Sequence, residues 1–273
     1  MAKMMKQAAI AATAMAVFCA TLYMYNGNGT VLALAITFGT TSYHLLMRLL
    51  VGVTADLLLG NRVDYRRRWF RVSAAEQKLY HFIKVKKWKG NMPTYDPESF
   101  DSRLRTWDEI AGAMCQAELV HEVIILLSFL PILASIPYGA LPVFAITSVL
   151  AACYDGMFVI MQRYNRPRIV KLIEKAEKRG QVMIQEAVAR IRQMEQIFDE
   201  LQEAAIENPS AIREDAALGE MLGCLVQYYE GGRWQKDYEL DENGLIPQNL
   251  KRGVLSQDAV YDFLERFKSY LNI

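Results

Sequence analysis

Two long stretches of the sequence have almost no charged residues. No Asp, Glu, Lys or Arg lies between Lys6 and Arg48, and only Asp155 lies between Glu122 and Arg163. One helical crossing of a bilayer needs about 20 apolar residues, so each stretch of roughly 40 residues is long enough for two crossings. The sequence therefore predicts an integral membrane protein.

Each apolar stretch is interrupted by residues that are typical of turns, at 26–29 and at 137–139. A second apolar run follows the first turn directly, which favours a membrane hairpin over a cleaved signal peptide at the N-terminus. The predicted spans cover residues 8–25, 30–50, 121–137 and 141–162. We expect the helix that begins near Thr106 or Asp108 to continue into the third span.

Cysteine and histidine are scarce, and this narrows the chemistry. The four cysteines are Cys19, Cys115, Cys153 and Cys224, and no two of them form a CxxC pair. All four are therefore predicted to be reduced thiols. A thiol nucleophile at Cys115 is an alternative. The candidates for a histidine general base are His44, His81 and His121. No phosphate-cradling Gly loop, Ser-His-Asp motif or cysteine-rich metal signature is present, and no metal is predicted.

Charge is unevenly distributed along the chain. Residues 1–180 contain 22 Lys/Arg and 13 Asp/Glu, whereas residues 181–273 contain 9 and 17. Both short turns are uncharged, and the N-terminus, the 51–120 connection and the region after 162 carry all the Lys and Arg except Arg48. The positive-inside rule places these segments in the cytoplasm. We predict a multi-pass protein of the cytoplasmic (inner) membrane with both termini in the cytoplasm.

The predicted fold class is all-α, with two domains. Residues 1–180 would form a four-helix membrane domain of two hairpins with a basic cytoplasmic connection at 51–120. Residues 181–273 would form a small soluble, acidic three-helix domain, because apolar stripes recur at helical spacing. Pro167 is expected where the fourth span leaves the bilayer, with a separate charged helix running from there to Gly180.

Glu118 and His121 are three residues apart and so share a helix face where the third span enters the membrane. Ionisable residues at this depth are costly and mark functional sites by default. A carboxylate that orients an imidazole could help it take a proton from a hydroxyl during group transfer. A metal site with a further ligand, and a helix end that faces lipid headgroups, are the alternatives.

Asp155 and His44 are polar residues inside predicted spans. Asp155 lies about 12 Å along its helix from Arg163, so its partner must come from another helix or from water. His44 and Arg48 share a face of the second span and are candidates. For Arg48, however, extension of the side chain to the cytoplasmic interface is the favoured interpretation.

Basic residues are predicted to surround the cytoplasmic mouth of the spans. They could bind the phosphates of an acyl donor or of lipid headgroups. A nucleic-acid partner is not predicted, because the cluster adjoins a membrane and the tail is acidic. Two uncharged residues from the same segments, Trp88 and Asn165, are added to this set. The candidate substrate-binding residues are Lys86, Lys87, Trp88, Lys89, Arg163, Asn165, Arg166 and Arg168.

Residues 80–180 resemble the glycosyl-diaponeurosporenoate acyltransferase family, which esterifies the sugar of a bacterial carotenoid glycoside. The resemblance rests on KKWK (86–89), AELVH (117–121), QRYNRPR (162–168) and KRG (178–180). It implies transfer of a fatty acyl group to a hydroxyl at the cytoplasmic membrane. The positions that carry over from the family are Glu118, His121, Arg163, Asn165 and Arg166.

Residues 186–270 resemble a separate small bacterial domain of unknown function, through segments at 190–195, 234–239 and 250–258. That resemblance implies no activity and fits a structural or partner-binding module.

Two functions therefore stand as hypotheses. The first is a membrane acyltransferase with His121 as the base and Glu118 as its orienting carboxylate. It would use an acyl-CoA or acyl-carrier thioester as donor, no tightly bound cofactor, and a membrane lipid or lipid-linked sugar, such as a glycolipid or a glycosylated isoprenoid, as acceptor. The second is a non-catalytic membrane adaptor that recruits a protein partner through its C-terminal domain.

Overall fold

Helices form the scaffold throughout the computed structural model, which describes residues 2–94 and 96–270 and has no β-strand within those ranges. The chain divides into two units, Met1–Glu174 and Lys175–Ile273. The all-α prediction is confirmed. Four helical segments are long and apolar enough to cross a membrane by length and composition: Lys3–Asn26, Gly29–Leu59, Trp107–Tyr138 and Leu141–Glu207.

A hairpin of α1 (Ala2–Asn26) and α2 (Gly29–Leu59) opens the first unit. The chain reverses through Gly27, which has a φ of +61°, a conformation that glycine adopts without steric cost. Asn28 then caps α2, because its side chain accepts a hydrogen bond from the Thr30 backbone N–H at 2.8 Å. The two helices also share a hydrogen bond between the hydroxyls of Thr13 and Ser42, at 2.6 Å.

The connection between α2 and the next long helix contains two short α-helices, α3 (Ala74–Phe82) and α4 (Val85–Trp88). Ser73 and Glu76 cap α3 reciprocally through side-chain and backbone hydrogen bonds. Three 3₁₀ turns complete the connection: Arg68–Phe70, Lys89–Asn91 and Glu98–Phe100.

Helix α5 (Trp107–Leu127) starts at a capping box of Thr106 and Glu109, so Thr106 is the N-cap. It ends at Leu127 because Pro131 has no N–H to donate to the Leu127 carbonyl. The Tyr43 hydroxyl of α2 donates to that carbonyl instead, at 2.8 Å. The predicted third span therefore continues as a 3₁₀ helix (Leu130–Ala134) and the short α6 (Ser135–Tyr138).

Helix α7 (Leu141–Glu207) follows a turn in which Gly139 and Ala140 both have positive φ. The helix contains Pro167 and continues past Gly180, so the prediction of a separate charged helix after the fourth span is wrong. Pro167 removes one intrahelical hydrogen bond, the one to the Arg163 carbonyl. Side-chain contacts of Arg163 and Arg166, described below, hold this turn in place.

The second unit packs a core of apolar side chains that includes Ile191, Phe198, Leu222 and Leu225. After α7 its helices are α8 (Ala211–Glu214), α9 (Ala216–Glu230), α10 (Arg233–Glu242) and α11 (Gln257–Phe267), with 3₁₀ turns at Gly253–Leu255 and Lys268–Tyr270.

The three-helix prediction for this unit missed α10, because that segment is mostly polar. Its buried residues are Trp234 and Asp237. Arg190 donates two hydrogen bonds to the Asp237 carboxylate, at 2.9 and 2.5 Å, and the Tyr228 hydroxyl donates a third at 3.1 Å. Burial, together with the Asp237 carboxylate, raises the pKa of Tyr228, which keeps its hydroxyl protonated as a donor.

Candidate active site

His121 on α5 and Asp155 on α7 form the central contact of the site. His121 Nδ1 lies 2.9 Å from Asp155 Oδ1, and the Asp155 side chain is only 1% exposed. Because an ionised carboxylate can only accept hydrogen bonds, Nδ1 is assigned as the donor, which leaves Nε2 with a free lone pair. The Phe158 ring stacks on the imidazole, with centroids 4.4 Å apart and planes 5° apart, and fixes its orientation.

Arg48 on α2 is the second partner of Asp155. Its Nη2 donates to Asp155 Oδ2, and its Nη1 donates to the His44 backbone carbonyl at 3.0 Å. The expectation that Arg48 extends to the interface is therefore wrong, and the alternative of a pair with Asp155 is confirmed. A buried carboxylate is costly without a cation, which explains why the arginine turns inward.

Glu118 does not pair with His121, which corrects the predicted dyad. Glu118 is completely buried and accepts hydrogen bonds from Arg163 Nη1, at 2.6 Å, and from Arg166 Nη1. Residues three apart on a helix point about 60° apart around its axis, so they can meet different partners. On the antiparallel α7, Asp155 reaches His121 while the two later arginines reach Glu118.

Arg163 and Arg166 also hold the connection that precedes α3. Arg163 donates to the Trp69 carbonyl at 3.1 Å and to the Glu76 carboxylate at 2.8 Å. Arg166 is almost fully buried and donates to the Phe70 carbonyl at 2.6 Å. These hydrogen bonds and those to Glu118 occupy both guanidinium groups. Arg163 and Arg166 therefore stabilise the protein interior and are not free to bind a phosphate.

Further contacts of this connection involve residues that the sequence analysis did not single out. The Trp69 indole N–H donates to Glu122 at 2.9 Å. Gln116 accepts from the Asn61 backbone N–H and donates to Asp56, both at 2.7 Å. One sequence signal could have indicated the contacts of Gln116: it is a glutamine within an otherwise apolar part of the predicted helix.

Close backbone packing accompanies these bonds. A Cβ atom at Gly112 would lie 2.7 Å from the Asn61 backbone oxygen, so only glycine fits on α5 at this point. Cys115, in the same helix, is completely buried, which argues against its proposed alternative role as a nucleophile.

A second group of side chains surrounds the Tyr164 ring. Lys89 Nζ lies 4.9 Å and Arg168 Cζ 5.2 Å from its centroid, and Lys89 also donates to Asn165 Oδ1. Burial lowers the pKa of Lys89, and the charges of Arg168 and Lys86 lower it further.

Lys86, Lys89 and Arg168, hereafter the Tyr164 cation cluster, form no salt bridge with a carboxylate among residues 2–94 and 96–270. Lys87 is exposed, and the Trp88 indole donates to the Ile83 carbonyl at 3.2 Å. Of the eight predicted substrate-binding residues, the structure thus places Lys89 and Arg168 against one ring. Asn165 accepts a hydrogen bond from Lys89, and Lys86 is close enough for its charge to act on Lys89.

His44 is buried, and within the part of the chain that the structure describes neither of its ring nitrogens has a hydrogen-bond partner. His81 is exposed. No group of three or more His, Cys, Asp or Glu side chains that could hold a metal ion is found within the described ranges.

Four helical segments are long and apolar enough to cross a membrane, and two of them bring the imidazole of His121 to the buried carboxylate of Asp155. Residues 65–175 match the family model of glycosyl-4,4'-diaponeurosporenoate acyltransferase, and residues 191–272 match that of a domain of unknown function (DUF4298). The predicted fusion of these two families is confirmed. No curated protein and no solved structure matches the chain.

The acyltransferase match contains both members of the central pair, His121 and Asp155, and also Glu118 with its two arginines. The whole of the first hairpin, including Arg48, lies outside it.

Proposed function

We propose that the protein is a membrane acyltransferase that moves a fatty acyl group from a thioester donor to a hydroxyl of a glycolipid or glycosylated isoprenoid. The observation that carries this proposal is the His121–Asp155 pair inside the segment that matches an acyltransferase family. The adaptor alternative is not favoured, because the family match names an acyltransferase.

In the proposed reaction, His121 Nε2 takes the proton of the acceptor hydroxyl as its oxygen attacks the thioester carbonyl carbon. A C–O bond forms, the C–S bond breaks, and the leaving thiolate receives the proton from Nε2. The ionised Asp155 carboxylate accepts from Nδ1, holds the ring in the required tautomer and stabilises the imidazolium that forms in between.

The Tyr164 cation cluster is the proposed site for the donor's phosphate groups. The positive charges of Lys86 and Arg168 act unfavourably on Lys89, and the Asn165 side-chain oxygen that accepts from Lys89 is uncharged, so an anion would relieve that repulsion. Both acyl-CoA and an acyl-carrier protein present their thioester on a phosphate-bearing arm. Phosphate recognition therefore suits either donor, and no tightly bound cofactor is needed.

The acceptor is proposed to reach the site from the bilayer. Exposed apolar side chains such as Leu57, Leu126 and Leu150 lie on α2, α5 and α7, as expected for helices that face lipid. We place the protein in the cytoplasmic membrane with both termini in the cytoplasm, because its Lys and Arg residues concentrate in the segments that this orientation puts there.

Mass spectrometry of lipid extracts tests the reaction. Cells that make a glycosylated carotenoid acid would express the wild type, the His121→Gln variant or an empty vector. We expect a fatty-acyl mass increment on the glycoside only with the wild type. Equal increments with wild type and His121→Gln would overturn the role of His121. No increment in cells with confirmed wild-type expression would contradict this acceptor, and an untargeted lipid comparison would then test the acyl transfer itself.

A further inference from the structure

The carboxylate of Asp155 has two oxygens and two partners, and they come from different parts of the chain. Oδ1 accepts from His121, within the family-matched segment, and Oδ2 accepts from Arg48, on α2 and outside that segment. The arginine is itself fixed, because its Nη1 donates to the His44 carbonyl one turn earlier.

We propose that Arg48 is a positioning residue through which the first hairpin completes the His121–Asp155 pair; this inference rests on the proposed function. Arg48 holds Asp155 ionised and turns its Oδ1 toward His121. Without the positive charge of Arg48, the almost fully buried Asp155 carboxylate would bind a proton itself, or its negative charge would favour a protonated His121 imidazole.

The two carboxylates on either side of His121 in the sequence already have partners. On α5, Glu118 pairs with Arg163 and Arg166, and Glu122 accepts from the Trp69 indole. On α2, His44 is buried without a hydrogen-bond partner in the described ranges. Among the described residues, Arg48 is therefore the one arginine or lysine that forms an ion pair with Asp155.

Removal of this cation should leave the pair holding one more proton at neutral pH, whichever of the two groups binds it. His121 Nε2 would then act as a base only at higher pH. A rise of one pH unit or more in the pH at which Nε2 becomes free to accept a proton would lower the activity at neutral pH by roughly tenfold or more.

Two readouts on the purified full-length chain test the proposal. The first is the pH dependence of diethylpyrocarbonate modification of His121, followed by peptide mass spectrometry, because a histidine ring reacts with this reagent only in its neutral form. In Arg48→Gln we expect the onset of His121 modification to move to higher pH, and Arg48→Lys should restore most of the wild-type curve. The exposed His81 serves as an internal control whose curve should not move.

The second readout is the pH–rate profile of acyl transfer. Arg48→Gln should lower kcat, move the acidic limb to higher pH and leave KM for the donor unchanged, whereas Arg103→Gln, an exposed arginine, should change none of these. An unchanged modification curve of His121 in Arg48→Gln overturns the proposal even if no acyl transfer is found. A wild type that transfers no acyl group contradicts the proposed function alone.

Discussion

His121 Nδ1 lies 2.9 Å from Asp155 Oδ1, although the two residues are separated by 34 positions and belong to different helices. The contact exists because α5 and α7 run antiparallel and place the imidazole beside the buried carboxylate. It gives His121, Asp155 and Glu118 separate roles, which variants can distinguish.

Glu118 is predicted to matter for stability rather than for the chemical step. Glu118→Gln should remove the charge that two buried or half-buried arginines share, and loss of one partner of a buried ion pair typically costs about 3–5 kcal/mol. Thermal unfolding of the purified full chain measures this. His121→Gln is the matched control on the same helix and should unfold close to the wild type. A Glu118→Gln protein with wild-type stability and no activity would contradict this role.

The Tyr164 cation cluster is predicted to bind phosphate-bearing donors. Lys89→Ala should raise KM for the donor with little change in kcat, and the effect should shrink at high salt. Lys87→Ala, an exposed neighbour, should behave as the wild type. If both variants raise KM equally, the affinity is a general surface charge effect and not this cluster.

The same cluster predicts a pH dependence for anion binding. The pKa of Lys89 is lowered by burial and then by Arg168 and Lys86, so this lysine loses its charge at a lower pH than an ordinary lysine. Affinity for coenzyme A should accordingly fall as pH rises through that lowered pKa, and Lys89→Arg should keep the affinity over the same range. Titration calorimetry at increasing pH measures it, and identical pH curves for the two proteins would contradict the prediction.

Tyr43 and Pro131 are predicted to be coupled through the Leu127 carbonyl. Tyr43→Phe should cost about 1 kcal/mol, because it leaves that carbonyl without its donor. In a Pro131→Ala background the new backbone N–H can bond to the same carbonyl, so the cost of Tyr43→Phe should shrink. A double-mutant cycle of unfolding free energies checks this, and strictly additive effects would show that the two residues do not share the carbonyl.

The proposed topology predicts which residues face the outside of the cell. In a background with the four native cysteines replaced, Tyr25→Cys, in α1 next to the first turn, should react with a membrane-impermeant maleimide on intact cells. Arg103→Cys, also exposed, should react only after permeabilisation. The reverse pattern would invert the orientation that the positive-inside rule gives.

The sequence predicted the helical class, the number of apolar segments and the family fusion, because charge-free runs and motif strings are local properties. It could not assign the partner of His121. Glu118 is the nearest acid along the helix, whereas Asp155 becomes a neighbour only when α5 packs against α7. Spacing within one helix says nothing about which side chain on another helix lies opposite.

Polar residues were harder to assign than apolar ones for the same reason. Arg48 lies near the end of the predicted second span, where an arginine is expected to extend to the interface unless a buried carboxylate is known to lie beside it. Helix α10 was missed because Trp234 and Asp237 are its main buried residues and a polar segment shows little periodicity. Pro167 likewise suggested a helix end, although contacts of Arg163 and Arg166 hold that turn.

The most direct test of the account is the rate of acyl transfer by purified Asp155→Asn, compared with the wild type at neutral pH and saturating donor. An asparagine can fill the space of Asp155 but carries no negative charge. The tautomer of His121 with the proton on Nδ1 is then no longer favoured, and the charged imidazolium is no longer stabilised. The account predicts a fall in kcat of roughly 10²–10⁴-fold with an unchanged KM for the donor. A kcat within twofold of the wild type would contradict it, because His121 would then not depend on Asp155.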